Sequence, residues 1–72
     1  MLNKEKEESE MPTVSISMLE GRDVATKQLL CERLTNAVVE TLNVKKEAVS
    51  VYMWEMKPEN LGKAGVLRSQ TG

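Results

Sequence analysis

The sequence predicts an α/β (α+β) fold built from a single βαβ unit, and three stretches of hydrophobic periodicity carry that prediction. Residues 13–19 alternate between polar and apolar side chains, residues 24–42 repeat apolar side chains at helical spacing, and residues 49–56 alternate again. Alternation is typical of a half-buried strand, and a repeat of three to four residues is typical of an amphipathic helix. Two strands joined by a helix are expected to run parallel with a right-handed crossover.

The first strand is expected over residues 13–19, with its apolar side chains on one face. Gly21 favours a turn directly after it, because glycine tolerates backbone angles that other residues avoid. Asp23 is a suitable helix N-cap, since its carboxylate can accept a hydrogen bond from an amide of the first turn. The residues of the apolar face are Val14, Ile16 and Met18.

The helix is expected from Val24 to Leu42, with Asn43 ending it in a left-handed conformation. Its spacing predicts one apolar stripe that packs on the sheet. The stripe consists of Leu30, Leu34, Ala37, Val38, Thr41 and Leu42. The remaining surface is polar and is expected to face water. Its residues are Lys27, Gln28, Glu32, Arg33, Asn36 and Glu40.

The second strand is expected over residues 49–56, and bulky side chains on both of its faces predict burial on both sides. Lys57–Asn60 reads as a turn. Gly62, Ala64 and Gly65 indicate a flexible or tightly packed segment, and Val66–Leu67 reads as a short third strand. The chain is therefore expected to end in a short hairpin or strand.

The small size of the domain predicts self-association. The chain has 72 residues, and a chain of this length buries only about 60% of its unfolded surface. Folds this small usually depend on disulfides, a metal or partner chains. One cysteine and no histidine exclude an intrachain disulfide and offer no zinc ligand set. A homo-oligomer that pairs the sheets of neighbouring chains would cover the open sheet edges.

Charge and composition limit the partners and the chemistry. A formal net charge of −1 argues against non-specific binding to nucleic acid or an anionic membrane. No apolar run is long enough to span a bilayer, and the first residues do not resemble a signal peptide, so we expect a cytoplasmic protein. The absence of histidine excludes Ser-His-Asp and Cys-His catalysis. We expect no metal and no organic cofactor.

The chain divides at Met11–Pro12 into a charged segment, residues 1–11, and a domain, residues 12–72. We expect the segment to be a disordered extension or the product of a mis-called start. Residues 6–10 can be encoded almost entirely by purines, as a translated bacterial ribosome-binding sequence would be. A start at Met11 followed by removal of that methionine would leave Pro12 with a free secondary amine. Such an amine can act as a general base near neutral pH, whereas a proline within the chain has no basicity.

Several short motifs then follow Pro12 at fixed distances. They are Leu19-Glu20-Gly21-Arg22; Lys27, Leu30 and Thr35 on the helix; Val49-Ser50-Val51 ahead of Glu55-Met56; and residues 58–65, Pro-Glu-Asn-Leu-Gly-Lys-Ala-Gly. Together they make residues 12 to about 67 resemble the 4-oxalocrotonate tautomerase family. The resemblance implies a hexamer built as a trimer of dimers, in which paired units form four-stranded sheets. A dimer stays open as the alternative. The resemblance also implies proton transfer in a small carboxylate-bearing enol or unsaturated keto acid, similar to 2-hydroxymuconate or phenylenolpyruvate.

The resemblance assigns roles to four residues. Pro12 matches the general base, and Arg22 matches the arginine that binds the substrate carboxylate, often across a subunit boundary. Ser50 stands where the founding enzyme has a second arginine, and Leu61 stands where it has an aromatic residue that lines the pocket. A hydroxyl supplies no charge, so transition-state stabilisation at Ser50 is expected to be weaker. Whether Arg33 or Arg68 compensates from another chain stays open.

Two other functions remain open at this point. The chain could be a non-catalytic oligomeric homologue whose proline is blocked. It could also be a proline-dependent hydratase or dehalogenase, for which Glu55 and Glu59 are the nearest carboxylates that could activate water. Cys31, Tyr52 and Trp54 are interpreted as packing or interface residues.

Overall fold

The computed structural model describes residues 12–70, and it has the predicted order of elements. The predictions for residues 1–11, a charged extension or a mis-called start, concern residues outside the described range. The main elements are strand β1 (Thr13–Leu19), helix α1 (Val24–Leu42), strand β2 (Ser50–Met56), strand β3 (Gly62–Lys63) and strand β4 (Val66–Leu67). Three short 3-10 helices cover Lys46–Ala48, Pro58–Asn60 and Arg68–Gln70.

Strands β1 and β2 pair in parallel, which confirms the predicted βαβ unit. Their register runs from Thr13 opposite Ser50 to Leu19 opposite Met56. One further hydrogen bond extends the pairing at the start of the strands, where the Ser50 amide donates to the Pro12 carbonyl at 3.1 Å. The amino ends of both strands therefore meet at one edge of the sheet, and the carboxyl ends meet at the opposite edge.

Both predicted helix caps are present. The Asp23 side chain accepts a hydrogen bond from the Thr26 amide at 2.9 Å, and the hydrogen bonds to Thr26 hold the pKa of the Asp23 carboxyl below its ordinary value of 3.8. At the other end, Asn43 adopts the left-handed conformation with φ 59°, and its amide donates to the Val39 carbonyl at 2.9 Å. These caps satisfy backbone groups that an isolated helix leaves unpaired.

The predicted apolar stripe of the helix is only partly correct. Leu30, Leu34 and Val38 are half-buried as expected, but Ala37, Thr41 and Leu42 are exposed. Successive residues are about 100° apart around a helix. Ala37 therefore lies to one side of the face formed by the half-buried residues and remains exposed. Leu42 is exposed in the last turn of the helix. Lys27 is half-buried, not on the water-facing side. The other half-buried helix residues are Cys31, Thr35 and Val39.

The single chain has almost no buried core. Among residues 12–70, Ala48 is the one residue whose exposure, 7%, makes it buried. The predicted burial of both faces of β2 is wrong for one chain, because α1 covers one face and leaves Tyr52 and Trp54 exposed by 50% and 59%. Their rings stack, with centroids 6.4 Å apart. An uncovered aromatic sheet face is the surface that a partner chain would be expected to cover.

The carboxyl-terminal hairpin confirms the third strand and gives it a partner. Strand β4 pairs antiparallel with β3 across a two-residue turn, Ala64 and Gly65, whose φ angles are 55° and 80°. Two successive positive φ angles are the pattern of a type I′ turn. The Arg68 amide donates to the Leu61 carbonyl at 2.8 Å and closes the base of the hairpin.

The beginning of β2 and the turn after it differ slightly from the prediction. The second strand starts at Ser50, not at Val49, because the Val49 amide donates to the Lys46 carbonyl of the preceding 3-10 helix at 3.1 Å. The segment Lys57–Asn60, expected as a turn, contains the 3-10 helix Pro58–Asn60.

Candidate functional site

The amino edge of the sheet brings Pro12 and Ser50 together. Both residues are half-buried, and the hydrogen bond from the Ser50 amide fixes the carbonyl of Pro12. The ring nitrogen of Pro12 therefore lies at the outer end of β1, next to the first residue of β2. The Ser50 hydroxyl is the polar side-chain group that the neighbouring strand contributes there.

Arg22 lies beyond the carboxyl edge of the sheet. Its Nη1 donates a hydrogen bond to the Leu19 carbonyl at 3.0 Å, and the side chain is otherwise exposed. Gly21, with φ 126°, turns the chain between the two residues in a conformation that glycine readily adopts. A guanidinium has five N–H donors, so this bond anchors Arg22 and leaves donors for a planar carboxylate.

A cavity of about 550 Å³ lies between the end of β1 and the hairpin. Leu61, which was expected to line a pocket, lines this cavity together with Leu19. The volume falls within the range of about 300–1,000 Å³ typical of small-molecule sites. The lining residues are Leu19, Leu61, Lys63, Ala64, Val66 and Arg68.

Sequence reasoning missed Lys63 and raised Arg68 only as an open alternative. The feature of the sequence that could have indicated Lys63 is its position directly before the turn at Ala64–Gly65. A two-residue turn at Ala64–Gly65 brings the residues on either side of it into register, so Lys63 and the residues after β4 approach the same space. Arg33, the other alternative, is exposed on the helix and does not line the cavity.

Within one chain, the predicted site residues separate into two groups. Pro12 and Ser50 lie at the amino edge, whereas Arg22 and Leu61 lie near the carboxyl edge, linked through Leu19. Strand β1 has seven residues, so its ends are roughly 20 Å apart at about 3.3 Å per residue. A single chain therefore does not bring the expected base to the expected carboxylate anchor.

Comparison with known proteins identifies the family. The family profile described as tautomerase enzyme matches residues 12–70. The chain belongs to the tautomerase family. Relatives and solved structures place it within the 4-oxalocrotonate tautomerase family, as the resemblance predicted, and support an isomerase activity.

Three of these tautomerase relatives indicate how closely the chains correspond. A protein of Halalkalibacterium halodurans named probable tautomerase is 42% identical over 55 residues, covering 76% of this chain and 90% of that protein. TomN, a 4-oxalocrotonate tautomerase homologue in the tomaymycin biosynthetic pathway, has a TM-score of 0.79 at 36% identity, with 82% of this chain and 91% of that chain covered. A heterohexameric 4-oxalocrotonate tautomerase from Chloroflexus aurantiacus has a TM-score of 0.80 at 26% identity, with 86% and 100% covered.

The carboxylates considered for water activation in this tautomerase family member lie elsewhere. Glu55 Oε1 is 3.0 Å from Lys27 Nζ, in an ion pair that joins β2 to α1. Glu59 is exposed on the 3-10 helix after β2. Neither residue lines the cavity, so the geometry offers no support for water activation by these two groups in a single chain.

The described part of the chain offers neither a cluster of metal ligands nor a membrane-spanning helix. Within residues 12–70, no three His, Cys, Asp or Glu side chains are grouped so that they could hold a metal ion. Helix α1, the single α-helix of that range, does not have the length and apolar character needed to cross a membrane.

Proposed function

We propose that the protein is a tautomerase that moves a proton within a small carboxylate-bearing enol or unsaturated keto acid. Pro12 acts as the general base, and Arg22 of a second copy binds the substrate carboxylate. The observation that carries this proposal is the cavity at the carboxyl edge of the sheet. Its walls are mainly apolar, and Lys63 and Arg68 add positive charge. The carbonyl of Leu19, another lining residue, accepts the hydrogen bond that anchors Arg22.

The proton carrier is the ring nitrogen of Pro12 in a chain that begins at this residue. An α-amino group titrates at about 8 in an unstructured peptide. Apolar surroundings and a nearby guanidinium both disfavour the charged form, so the pKa of the amine falls toward working pH. The neutral nitrogen then takes a proton from the enol hydroxyl or an activated carbon and returns it elsewhere on the conjugated system.

The other site residues hold the substrate while the proton moves. Arg22 binds the carboxylate through two parallel hydrogen bonds, a geometry that fixes the plane of the acid. Ser50, next to Pro12, donates a hydrogen bond to the oxygen on which charge develops. Leu19 and Leu61 exclude water from the reacting atoms. The proposed chemistry moves only a proton, so it requires no metal and no organic cofactor.

Assembly of several copies is part of the proposal, because the base and the anchor lie at opposite edges of one chain. A second copy whose carboxyl edge approaches the amino edge of the first completes the site. The uncovered sheet face that carries Tyr52 and Trp54 is available for packing between copies. We therefore infer a homo-oligomer, either a dimer or a hexamer built as a trimer of dimers. The heterohexameric relative supports the second form.

The test compares two chains that differ only at the amine. One begins at Pro12, and the other carries one additional alanine before it, which converts the amine into an amide. With 2-hydroxymuconate and phenylenolpyruvate as substrates, the first chain should be active. The second should lose about 10²- to 10⁴-fold in rate, the usual contribution of a general base. Size-exclusion chromatography checks that both assemble alike.

Equal rates in two equally assembled chains would remove Pro12 from the mechanism. Mass spectrometry of the protein from its natural host supplies the complementary observation. We expect the mass of a chain whose first residue is Pro12. An active protein that retains residues 1–11 would contradict the proposed role of the amine.

A further inference from the structure

Lys27 and Glu55 form an ion pair that has no part in the proposed proton transfer. Lys27 Nζ lies 3.0 Å from Glu55 Oε1 and joins residues 28 positions apart in the chain. The helix pattern predicted a water-facing Lys27, but the two side chains are exposed by only 28% and 30%. Salt screens ion pairs that are shielded in this way less than fully exposed pairs. The contact therefore fixes the start of α1 against the end of β2.

A hydrogen bond and this ion pair together tie the segment around Arg22 to the end of β2. At the beginning of the segment, the Glu20 amide donates a hydrogen bond to the Met56 carbonyl at 2.9 Å. At its end, Lys27 bonds to Glu55, the residue directly before Met56 in the strand. Residues 20–27 are therefore held at both ends on adjacent residues of one strand, and Arg22 lies between the two ties.

Gly21 makes the second of these ties important for Arg22. Its φ of 126° lies in the region that glycine adopts readily, and glycine has more conformational freedom than any other residue. The hydrogen bond of Glu20 comes before this glycine, so it does not fix the direction of the backbone after it. On the other side of Arg22, the Asp23 carboxylate accepts a hydrogen bond from the Thr26 amide at 2.9 Å. Asp23 is thereby held on the first turn of the helix, so the position of Arg22 depends on where the ion pair places that turn.

We propose that Lys27 and Glu55 are positioning residues that hold Arg22 in the orientation needed to bind a carboxylate. This inference rests on the proposed function, in which Arg22 of one copy binds the substrate of another. Two parallel hydrogen bonds require the guanidinium and the carboxylate to lie in one plane, and a misplacement of about 1 Å can cost about 10²-fold in rate. The Nη1 bond to the Leu19 carbonyl at 3.0 Å fixes one end of the guanidinium. The ion pair fixes the backbone from which the side chain starts.

The first experiment removes the ion pair from the assembled protein that begins at Pro12. Lys27→Met keeps the unbranched chain but not the charge, and we expect kcat/KM for phenylenolpyruvate to fall about 3- to 10-fold, chiefly through a higher KM. Glu55→Gln should give the same loss, and the double variant should lose no more than either single variant, since all three remove one contact. Lys27→Arg retains the charge and should stay within about twofold of the unaltered protein. Lys45→Met, in the link before β2, is the matched control and should leave kcat/KM unchanged.

The second experiment distinguishes the positioning of Arg22 from a general effect on stability. In a chain that already carries Arg22→Ala the guanidinium is missing, so Lys27→Met should lower kcat/KM by less than about 1.5-fold further. An equal loss with and without Arg22, in chains that assemble alike on size-exclusion chromatography, would show that the ion pair supports only the fold and would overturn the inference. Glu55→Gln repeats the comparison and covers the case in which Lys27→Met does not assemble.

A third measurement does not depend on turnover. NMR relaxation gives the order parameter of the Arg22 Nε–H bond, which reports motion on the picosecond-to-nanosecond scale. We expect this order parameter to fall below about 0.6, the range of flexible groups, in Lys27→Met, and to stay unchanged in Lys45→Met. The same order parameter in Lys27→Met and the unaltered protein would overturn the positioning role. If the free-amine chain turns over neither 2-hydroxymuconate nor phenylenolpyruvate, the proposed function fails, and the order parameter alone decides the positioning role.

Discussion

The two edges of the parallel sheet differ in the chemistry that they offer. At the amino edge, Pro12 and Ser50 are half-buried neighbours joined by a backbone hydrogen bond. At the carboxyl edge, Arg22 is anchored on Leu19, which lines a cavity together with Lys63 of the hairpin and Arg68 of the 3-10 helix after it. In the proposed reaction, one edge carries the proton and the other holds the anion. Because a single chain keeps the edges roughly 20 Å apart, the proposed reaction needs two associated copies of the chain.

The largest expected effect comes from preventing the two edges from meeting. Trp54→Lys places a charge on the uncovered sheet face, and burying an unpaired charge in an interface costs about 3–5 kcal/mol. We expect the dissociation constant of the assembly to rise by about 10²- to 10⁴-fold, and activity to follow the assembled fraction. Analytical ultracentrifugation over a dilution series measures this. Glu32→Lys, on the exposed side of the helix, is the control, and an unchanged assembly in Trp54→Lys would show that this face is not an interface.

Removing the anchor at the carboxyl edge should have the next largest effect. Arg22→Ala deletes a bidentate, charge-assisted contact, which is worth about 1.5–3 kcal/mol per hydrogen bond to a charged group. We expect kcat/KM to fall about 10²-fold or more, with Arg22→Lys intermediate because ammonium binds as a point charge. Arg33→Ala is the matched control. A loss smaller than fivefold for Arg22→Ala would exclude this residue as the carboxylate anchor.

Removing the hydroxyl at the amino edge should matter less. Ser50→Ala deletes one neutral hydrogen bond worth about 1 kcal/mol, so we expect kcat/KM to fall about fivefold. The losses in kcat/KM of Ser50→Ala and Arg22→Ala together measure how much more the charged group at the carboxyl edge contributes than the neutral hydroxyl at the amino edge. Steady-state kinetics measures kcat/KM for both variants. A larger loss in Ser50→Ala than in Arg22→Ala would contradict the predicted order.

The smallest effect concerns the helix that joins the two edges. Because the pKa of Asp23 is lowered by its hydrogen bonds to Thr26, its charged form stabilises the fold above the ordinary value of 3.8. This contribution is lost as pH falls through the folded-state pKa. Asp23→Asn keeps an N-cap acceptor but does not titrate.

Thermal denaturation of both proteins from pH 2 to 7 checks the cap prediction. The stability of the unaltered protein relative to Asp23→Asn should decrease at the acid end of this range. A difference between the two proteins that stays constant with pH would contradict it.

Local interactions made much of the fold predictable. Asp23 and Asn43 act on backbone groups within a few residues of themselves, so their roles as caps follow from residue type and position alone. The alternation in residues 13–19 and 49–56 likewise predicted both strands, with the second beginning one residue later than expected. The inward face of the helix was less predictable, because the exposure of Ala37 and Leu42 depends on how the helix lies on the sheet.

The candidate site was predictable only in part, because its walls depend on contacts between residues far apart in the sequence. The roles of Pro12, Arg22, Ser50 and Leu61 came from the family resemblance and stay predictions. Periodicity contains no information on the cavity, because its walls come from the end of β1 and from a hairpin more than forty residues later. Lys63 was missed for that reason, since only the pairing across the turn brings it to the cavity.

The most direct test of a site shared between copies is complementation between two inactive chains. One has a free Pro12 and the change Arg22→Ala, and the other has an intact Arg22 and one extra alanine before Pro12. After co-unfolding and refolding at equal amounts, a site built from two copies should recover about a quarter of the wild-type rate, because each contributing copy is drawn at random. If base and anchor act within one chain, the mixture will stay as inactive as its components.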